Sequence, residues 1–228
     1  NERTEYFMMQ VAIDGPGGAG KSTVARRVAK ELGFLYVDTG AMYRAVGLFV
    51  RRHGIDPKDA VSVEKVLPQV HLSLQYDDAG EQQILLNEEN VSRAIRENEI
   101  ASYASAVSAI PAVRDFLLET QRALAREHNV IMDGRDIGTV ILPDAQVKIF
   151  LTASDVQRAQ RRLLDLKGKG FESTFDEVLE QLRARDHADS TRATAPLRPA
   201  PDAVLLDTTT LDFEQAVARV RQLIAEKM

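Results

Sequence analysis

At 228 residues the chain is long enough for one large domain or two small ones, and its 29 Lys plus Arg against 34 Asp plus Glu leave a net charge of -5, which argues against binding nucleic acid or an anionic membrane through bulk electrostatics. The absence of cysteine excludes a disulfide framework, a thiolate nucleophile and a cysteine metal site, and four scattered histidines make a poor metal cage. With no apolar run near the ~18 residues of a membrane span and no signal-peptide pattern, the expectation is a soluble cytoplasmic protein.

Residues 1–8 carry no motif and are given no functional weight. The first strand runs from Met9 to Asp14 into a glycine-rich turn, and Lys21 to Leu32 follows as a helix with Val24, Val28 and Leu32 on one face. A second strand is expected at Phe34 to Val37 and a further helix from about Thr39. Between His71 and Asn87 the runs LSLQYD and EQQILLN flank Asp78-Ala79-Gly80, a hairpin signal. With the polar NEENVSRAIREN after it, this reads as a small insert on the edge of the main domain. Further strands are expected at Val130 to Met132, Val147 to Leu151 and Ala203 to Leu206, separated by helical stretches, and such alternation means crossovers and a parallel sheet. From Asp155 to Arg198 two helical patterns are joined by Lys167-Gly168-Lys169-Gly170 and followed by Pro196, Pro199 and Pro201; this is either a hinged lid or a plain helical hairpin. The last helix starts at Asp212 and shows a stripe of Phe213, Ala216, Val217, Val220 and Ile224.

Gly15-Pro16-Gly17-Gly18-Ala19-Gly20-Lys21-Ser22 fits GxxxxGK[ST] at every specified position, with a strand in front and a helix behind. Glycines let backbone N–H groups close around phosphate oxygens at the positive end of a helix. Lys21 would then reach the β- and γ-phosphates of a nucleotide, and Ser22 would place its hydroxyl on the magnesium that bridges them. A guanine switch would need an NKxD element, which is missing; the DxxG-like run Asp77 to Gly80 lies in the hairpin turn. Phosphoryl transfer is favoured over a regulatory or mechanical ATPase, because the remaining chain is taken up by arginine-bearing excursions.

Of the 29 cationic residues twenty-one are Arg and eight Lys, which favours forked recognition of phosphate and carboxylate. Arg158, Arg161 and Arg162 fall at i, i+3 and i+4, on one helix face. Arg185, Asp189 and Arg192 share a face if their helix persists; taken alone, Arg185 and Asp189 read as a surface ion pair. Arg44, in DTGAMYR, and Arg135, in DGRD, lie where strand C-termini open into a ligand crevice. No general base stands out, which agrees with an acceptor that is itself a phosphate monoester, already ionised with a second pKa near ~6.

IDGPGGAGKST at 13–23, DTGAMYRA at 38–45, DGRDIGTVILPDAQVKIFL at 133–151 and RATAPL at 192–197 together resemble the bacterial cytidylate kinase family, from Val11 nearly to the end of the chain. The resemblance implies an α/β phosphate-loop fold of three layers, with a central parallel five-stranded sheet, a small β-containing insert that binds the nucleoside monophosphate, and a helical lid. Residues 9–38, 111–154 and 199–228 would form the core, 39–110 the monophosphate-binding region and 155–198 the lid. It implies ATP-dependent, magnesium-assisted phosphorylation of CMP and dCMP; separately, no exposed heptad or long apolar strip demands a partner, so a monomer that binds neither nucleic acid nor membrane is expected. Carried over by resemblance, the loop from Gly15 to Thr23 holds ATP, Lys21, Arg135, Arg158 and Arg162 serve catalysis, and Ser22 serves the metal. Arg44 meets the acceptor phosphate, Thr39, Arg114, Asp136 and Arg192 read cytosine, and Ser105, Arg185 and Asp189 meet the ribose. Thr39 stands where the family has serine, and Ala188 and Ser190 stand where related sequences carry arginine, which weakens the lid's charge. Asp14 and Asp133 end apolar strands, and two readings stay open for each: holding magnesium's waters, or capping a loop.

Overall fold

Strands whose residues are apolar on both faces belong inside a sheet covered by helices, and the sequence supplies them at Val11, Ala12, Ile13, Val130, Ile131, Met132, Ile149 and Leu151, all essentially solvent-free. The computed structural model describes residues 8–168 and 170–228; residues 1–7, and Lys169 of the Gly-Lys joint, lie outside the described residues. In chain order the elements are β1 (Gln10–Asp14), α1 (Lys21–Leu32), β2 (Leu35–Asp38), α2 (Thr39–Arg52), α3 (Ala60–Val66), β3 (Leu72–Tyr76), β4 (Gln82–Leu86), β5 (Glu89–Asn90), α4 (Asn98–Val107), α5 (Pro111–Glu127), β6 (Val130–Gly134), β7 (Val147–Thr152), α6 (Asp155–Gly168), α7 (Phe175–Thr191), β8 (Val204–Asp207) and α8 (Phe213–Ala225). They build a parallel five-stranded sheet in the order β2-β6-β1-β7-β8 and an antiparallel sheet in the order β3-β4-β5.

The chain divides into two compact units, the described residues up to Leu35 with Ala125–Met228, and Tyr36–Leu124. In the first, β1 pairs in parallel with β6 on one side and β7 on the other, and β7 with β8. Helix ends are set by local chemistry. Gly20 and Gly33 bound α1 in left-handed backbone, and reciprocal capping boxes open α7 (Thr174 with Glu177) and α8 (Asp212 with Gln215). α6 and α7 pair through Ala159, Leu166, Val178 and Leu182. Two expectations need correction here. Phe213 leaves the core stripe of α8, lying 40% exposed beneath the Arg27 guanidinium, and Leu223 is buried instead. α7 stops at Thr191, because Arg192 turns into extended backbone (φ -59, ψ 143), so Arg192 does not share a helix face with Arg185 and Asp189.

In the second unit α2 is the central element: Met42, Val46, Phe49 and Val50 pack with Ile84 and Leu86 of β4, Ile100 and Val107 of α4, and Leu117 of α5. The hairpin forms as the alternation requires, Leu72 opposite Leu86 and Leu74 opposite Ile84. Its turn is closed by Asp77, whose carboxylate accepts from the Ala79 and Glu81 N–H groups at 3.0 and 2.9 Å. The DxxG-like run thus serves this hairpin turn. The short strand β5, too brief to leave a periodic signal, completes the small sheet.

Candidate active site

The turn after β1 accepts only glycine at its first position. A Cβ on Gly15, at φ +149, would stand 1.9 Å from the Leu151 carbonyl oxygen. Gly18 and Gly20 also take positive φ, and a Cβ on Gly18 would meet Arg158 Cβ at 3.4 Å. The chain thereby wraps Gly15, Pro16, Gly17, Gly18, Ala19 and Gly20 tightly onto the N-terminus of α1, where Lys21, Ser22 and Thr23 follow. Lys21 is buried, and its Nζ donates to the Pro16 carbonyl at 2.8 Å. Burial, with Arg135 and Arg185 nearby and Asp133 opposing them, pushes its pKa down to about 7. Phosphate oxygens are the groups that relieve such crowded positive charge.

The carboxylates left open by the sequence now separate. Asp133 Oδ2, at the end of β6, accepts from the Ser22 hydroxyl at 2.8 Å. Asp14 instead caps a loop: its two oxygens accept the N–H groups of Ile137 and Gly138, each at 2.8 Å. Desolvation raises its pKa to about 6 against the pull of those two bonds. Among the described residues no three His, Cys, Asp or Glu side chains gather as a metal cage. The oxygen donors at Ser22 and Asp133 nevertheless suit a magnesium ion that keeps its waters and takes further ligands from substrate phosphates.

The arginines divide the work. Arg158 is buried, and each of its three nitrogens donates within the protein: Nε to Ala153 O at 3.0 Å, Nη1 to Gly17 O at 3.0 Å and Nη2 to Asp186 Oδ2 at 2.5 Å. Arg161 reaches the same loop at Ala19 O (3.4 Å) and also the Thr208 carbonyl (2.9 Å), while Arg162 lies half-buried on α6. Arg135 has a guanidinium nitrogen 3.6 Å from the Cβ position of Gly17, and its Nε donates to Asp189 Oδ2 at 3.0 Å. Asp189 is therefore no surface group: it is buried and pairs with Arg135. Arg185 stands at the loop as well, 3.9 Å from the same Cβ position. Asp136 and Arg192 are both buried, with Arg192 Nη2 3.7 Å from Asp136 Oδ1 and Arg192 Nε donating to Ala195 O. Asp186 was missed as a site-shaping residue, its one sequence signal being its place beside Arg185, whereas Arg161 carries the spacing with Arg158 and Arg162 already noted.

In the second unit Asp38 caps α2 by accepting the Ala41 N–H at 3.0 Å, which places Thr39 and Arg44 in its first turns. Thr39 is buried and Arg44 half-buried. Arg114 of α5 is buried, donates to Ser108 O at 2.9 Å and lies 5.5 Å from the Tyr43 ring centroid. Ser108 in turn donates to Ser105 O at 2.8 Å. Arg114, Ser105 and the first turns of α2 thus belong to one packed group, although they are scattered along the sequence.

Among the described residues no helix is long and apolar enough to cross a membrane. The model of the cytidylate kinase family matches residues 11–226. A cytidylate kinase of Carboxydothermus hydrogenoformans is 47% identical over 219 residues, covering 96% of this chain and 98% of that protein. One from Caldanaerobacter subterraneus is 50% identical over 216 residues, covering 95% and 94%, and one from Lactobacillus gasseri is 46% identical over 221 residues, covering 97% and 96%. Identity at that level over nearly the full length of both partners, on a chain whose phosphate loop and DGRD turn have the geometry just described, leaves one assignment: this chain belongs to the cytidylate kinase family.

Proposed function

We propose that the protein transfers the γ-phosphoryl group of ATP directly to CMP and dCMP, yielding ADP with CDP or dCDP. A phosphate oxygen of the acceptor attacks the γ-phosphorus in line, the bond from that phosphorus to the β,γ-bridging oxygen breaks, and the electron pair leaves on ADP. No phosphoenzyme forms, and the acceptor phosphate, already ionised, needs no base. Lys21 and the loop N–H groups hold the donor phosphates, and Arg135 and Arg44 spread positive charge over the transferring and acceptor groups. Ser22, its hydroxyl oriented by Asp133, would hold a magnesium ion, which when bound would supply charge neutralisation at the donor phosphates.

The observation that carries the acceptor's identity is the buried Asp136 carboxylate beside Arg192. Cytosine presents an amino donor next to N3 and O2 acceptors, and a carboxylate with a guanidinium answers both. Thr39 and Arg114 would complete the reading of the base, with Ser105, Arg185 and Asp189 on the ribose. The chemistry needs no second chain, so a cytoplasmic monomer is the expected active species, which sizing of the active enzyme tests. The reaction itself is tested by ADP formation from ATP and magnesium with CMP, dCMP, UMP, AMP and GMP offered separately and with no acceptor. Turnover confined to CMP and dCMP is expected; acceptor-independent ADP release would mean a regulatory ATPase, and turnover on another monophosphate would mean a different acceptor.

A further inference from the structure

The β3–β4 hairpin holds a polar pair where its pattern calls for an apolar one. On the inner face the cross-strand pairs run Leu72 with Leu86, Leu74 with Ile84, and then Tyr76 with Gln82. The first two rows feed the core around α2; the third ends in hydrogen-bonding groups, and both of these reach one stretch of backbone. Tyr76 Oη donates to the Tyr36 carbonyl at 3.1 Å. Gln82 Oε1 accepts the Asp38 N–H at 3.0 Å, and its Nε2 donates to the Asp38 carbonyl at 3.4 Å.

Tyr36 and Asp38 are alternate residues of β2, so the two side chains grip the same edge of that strand. Asp38 is also the N-cap of α2, and the next residue is Thr39, with Arg44 just over one turn beyond it. The small sheet touches the far end of the same helix as well, where Glu89 of β5 forks Arg52 at 2.6 and 2.9 Å. That pair is exposed on both sides and worth little, whereas Tyr76 and Gln82 are half-buried. Burial raises the pKa of the Tyr76 hydroxyl, which keeps it a donor throughout the working pH range.

We propose that the Tyr76–Gln82 pair positions the acceptor-binding end of α2, so that the hairpin insert sets CMP affinity without touching CMP. The inference rests on Thr39 and Arg44 being acceptor ligands. A grip on the backbone of an N-cap governs where the first turn points, and small displacements there are felt directly by groups that must meet a phosphate and a base.

Steady-state kinetics of the full chain test this with Gln82→Ala and Tyr76→Phe. Gln83→Ala serves as a control on the same strand, since its amide bonds Asp77 Oδ2 instead, and Arg44→Ala marks the acceptor reading. Tyr76→Phe should raise KM for CMP about fivefold, the usual value of one lost hydrogen bond, and Gln82→Ala, which loses two, at least as much, with kcat and KM for ATP changed by less than about twofold. Gln83→Ala should leave all three unchanged. An unaltered KM for CMP in both clamp variants, with Arg44→Ala still raising it, overturns the positioning role while the acceptor reading stands. If Arg44→Ala also leaves KM for CMP unaltered, the acceptor reading fails and the inference fails with it. A drop in kcat and a rise in both KM values, with Gln83→Ala behaving alike and melting temperatures lowered together, would make the pair mere scaffold and overturn it too. Tyr76→Phe keeps the ring in its packing, so one clamp variant folds even if Gln82→Ala does not.

Discussion

On the proposed reading, one buried carboxylate, Asp136, would separate cytosine, with its 4-amino donor, from uracil, with its 4-carbonyl acceptor. Cytosine offers Asp136 a donor where uracil offers an acceptor, and a buried carboxylate has no donor of its own to turn toward uracil. Discrimination built on hydrogen bonds to a buried group is steep, because the wrong partner leaves that group desolvated and unpaired. Replacing Asp136 by Ala should lower kcat/KM for CMP by at least about a hundredfold while KM for ATP stays close to the parent value. Asp136→Asn, which can rotate an NH2 toward the base, should shift the UMP-to-CMP ratio of kcat/KM toward UMP. Competition assays with both acceptors measure that ratio directly, and loss of ATP binding in either variant would remove Asp136 from the acceptor side.

One helix, α7, carries two carboxylates on successive positions of one face, and each holds an arginine from a different element. Asp186 takes Arg158 of α6, which also donates to Gly17 of the donor loop, and Asp189 takes Arg135 from the turn after β6. Mutating each should therefore separate donor from acceptor kinetics. Asp186→Asn, which keeps a neutral hydrogen bond, should raise KM for ATP several-fold and spare KM for CMP, since a loosened Arg158 relaxes the loop. Asp189→Asn should lower kcat and, on the proposed ribose contact, raise KM for CMP, because Arg135 loses the carboxylate that orients it; identical profiles for the two variants would refute the division. The existence of α7 was legible from its period, and the loop from its glycines, because both are local. Its partners were not. Spacing along α7 pointed Asp189 at Arg185, four residues back, whereas tertiary packing gave it Arg135; nothing local marks Arg158 as buried rather than solvated. Beyond the end of α7, Ala195, whose carbonyl accepts from Arg192 Nε, takes positive φ (49), for which alanine carries no signal. Gln82 is an intermediate case: a glutamine on the inner face of a hairpin is a visible break in alternation, but what it grips lies 44 residues away.

Across the molecule, acid stability is a contest between two kinds of carboxylate. Exposed groups are held below their ordinary range by hydrogen bonds, Asp59 by Ser62, Glu89 by Arg52, Asp155 by Arg183 and Asp202 by Lys148. Each contributes stability above its unfolded pKa and gives it up as pH falls through the lowered folded value. Asp14 works in the opposite sense. Burial raises it from 3.8 to about 6, so the folded protein binds this proton more tightly than the unfolded chain; its contribution is fully present below the unfolded pKa and is lost as pH rises through about 6. At neutral pH the ionised carboxylate is retained at a cost, and what it holds in return are the Ile137 and Gly138 N–H groups directly after Asp136. Asp14→Asn cannot titrate and can accept only one of those bonds comfortably, a loss that is the same at every pH. The stability difference between Asp14→Asn and the parent should thus move in the variant's favour as pH rises from 3.8 to about 6, by at most about 3 kcal/mol on a shift of roughly two pKa units. Urea unfolding of both proteins at half-unit steps measures it. A difference that stays flat across that window would mean Asp14 is ionised with an ordinary pKa in the folded protein, and that its two backbone bonds outweigh its burial.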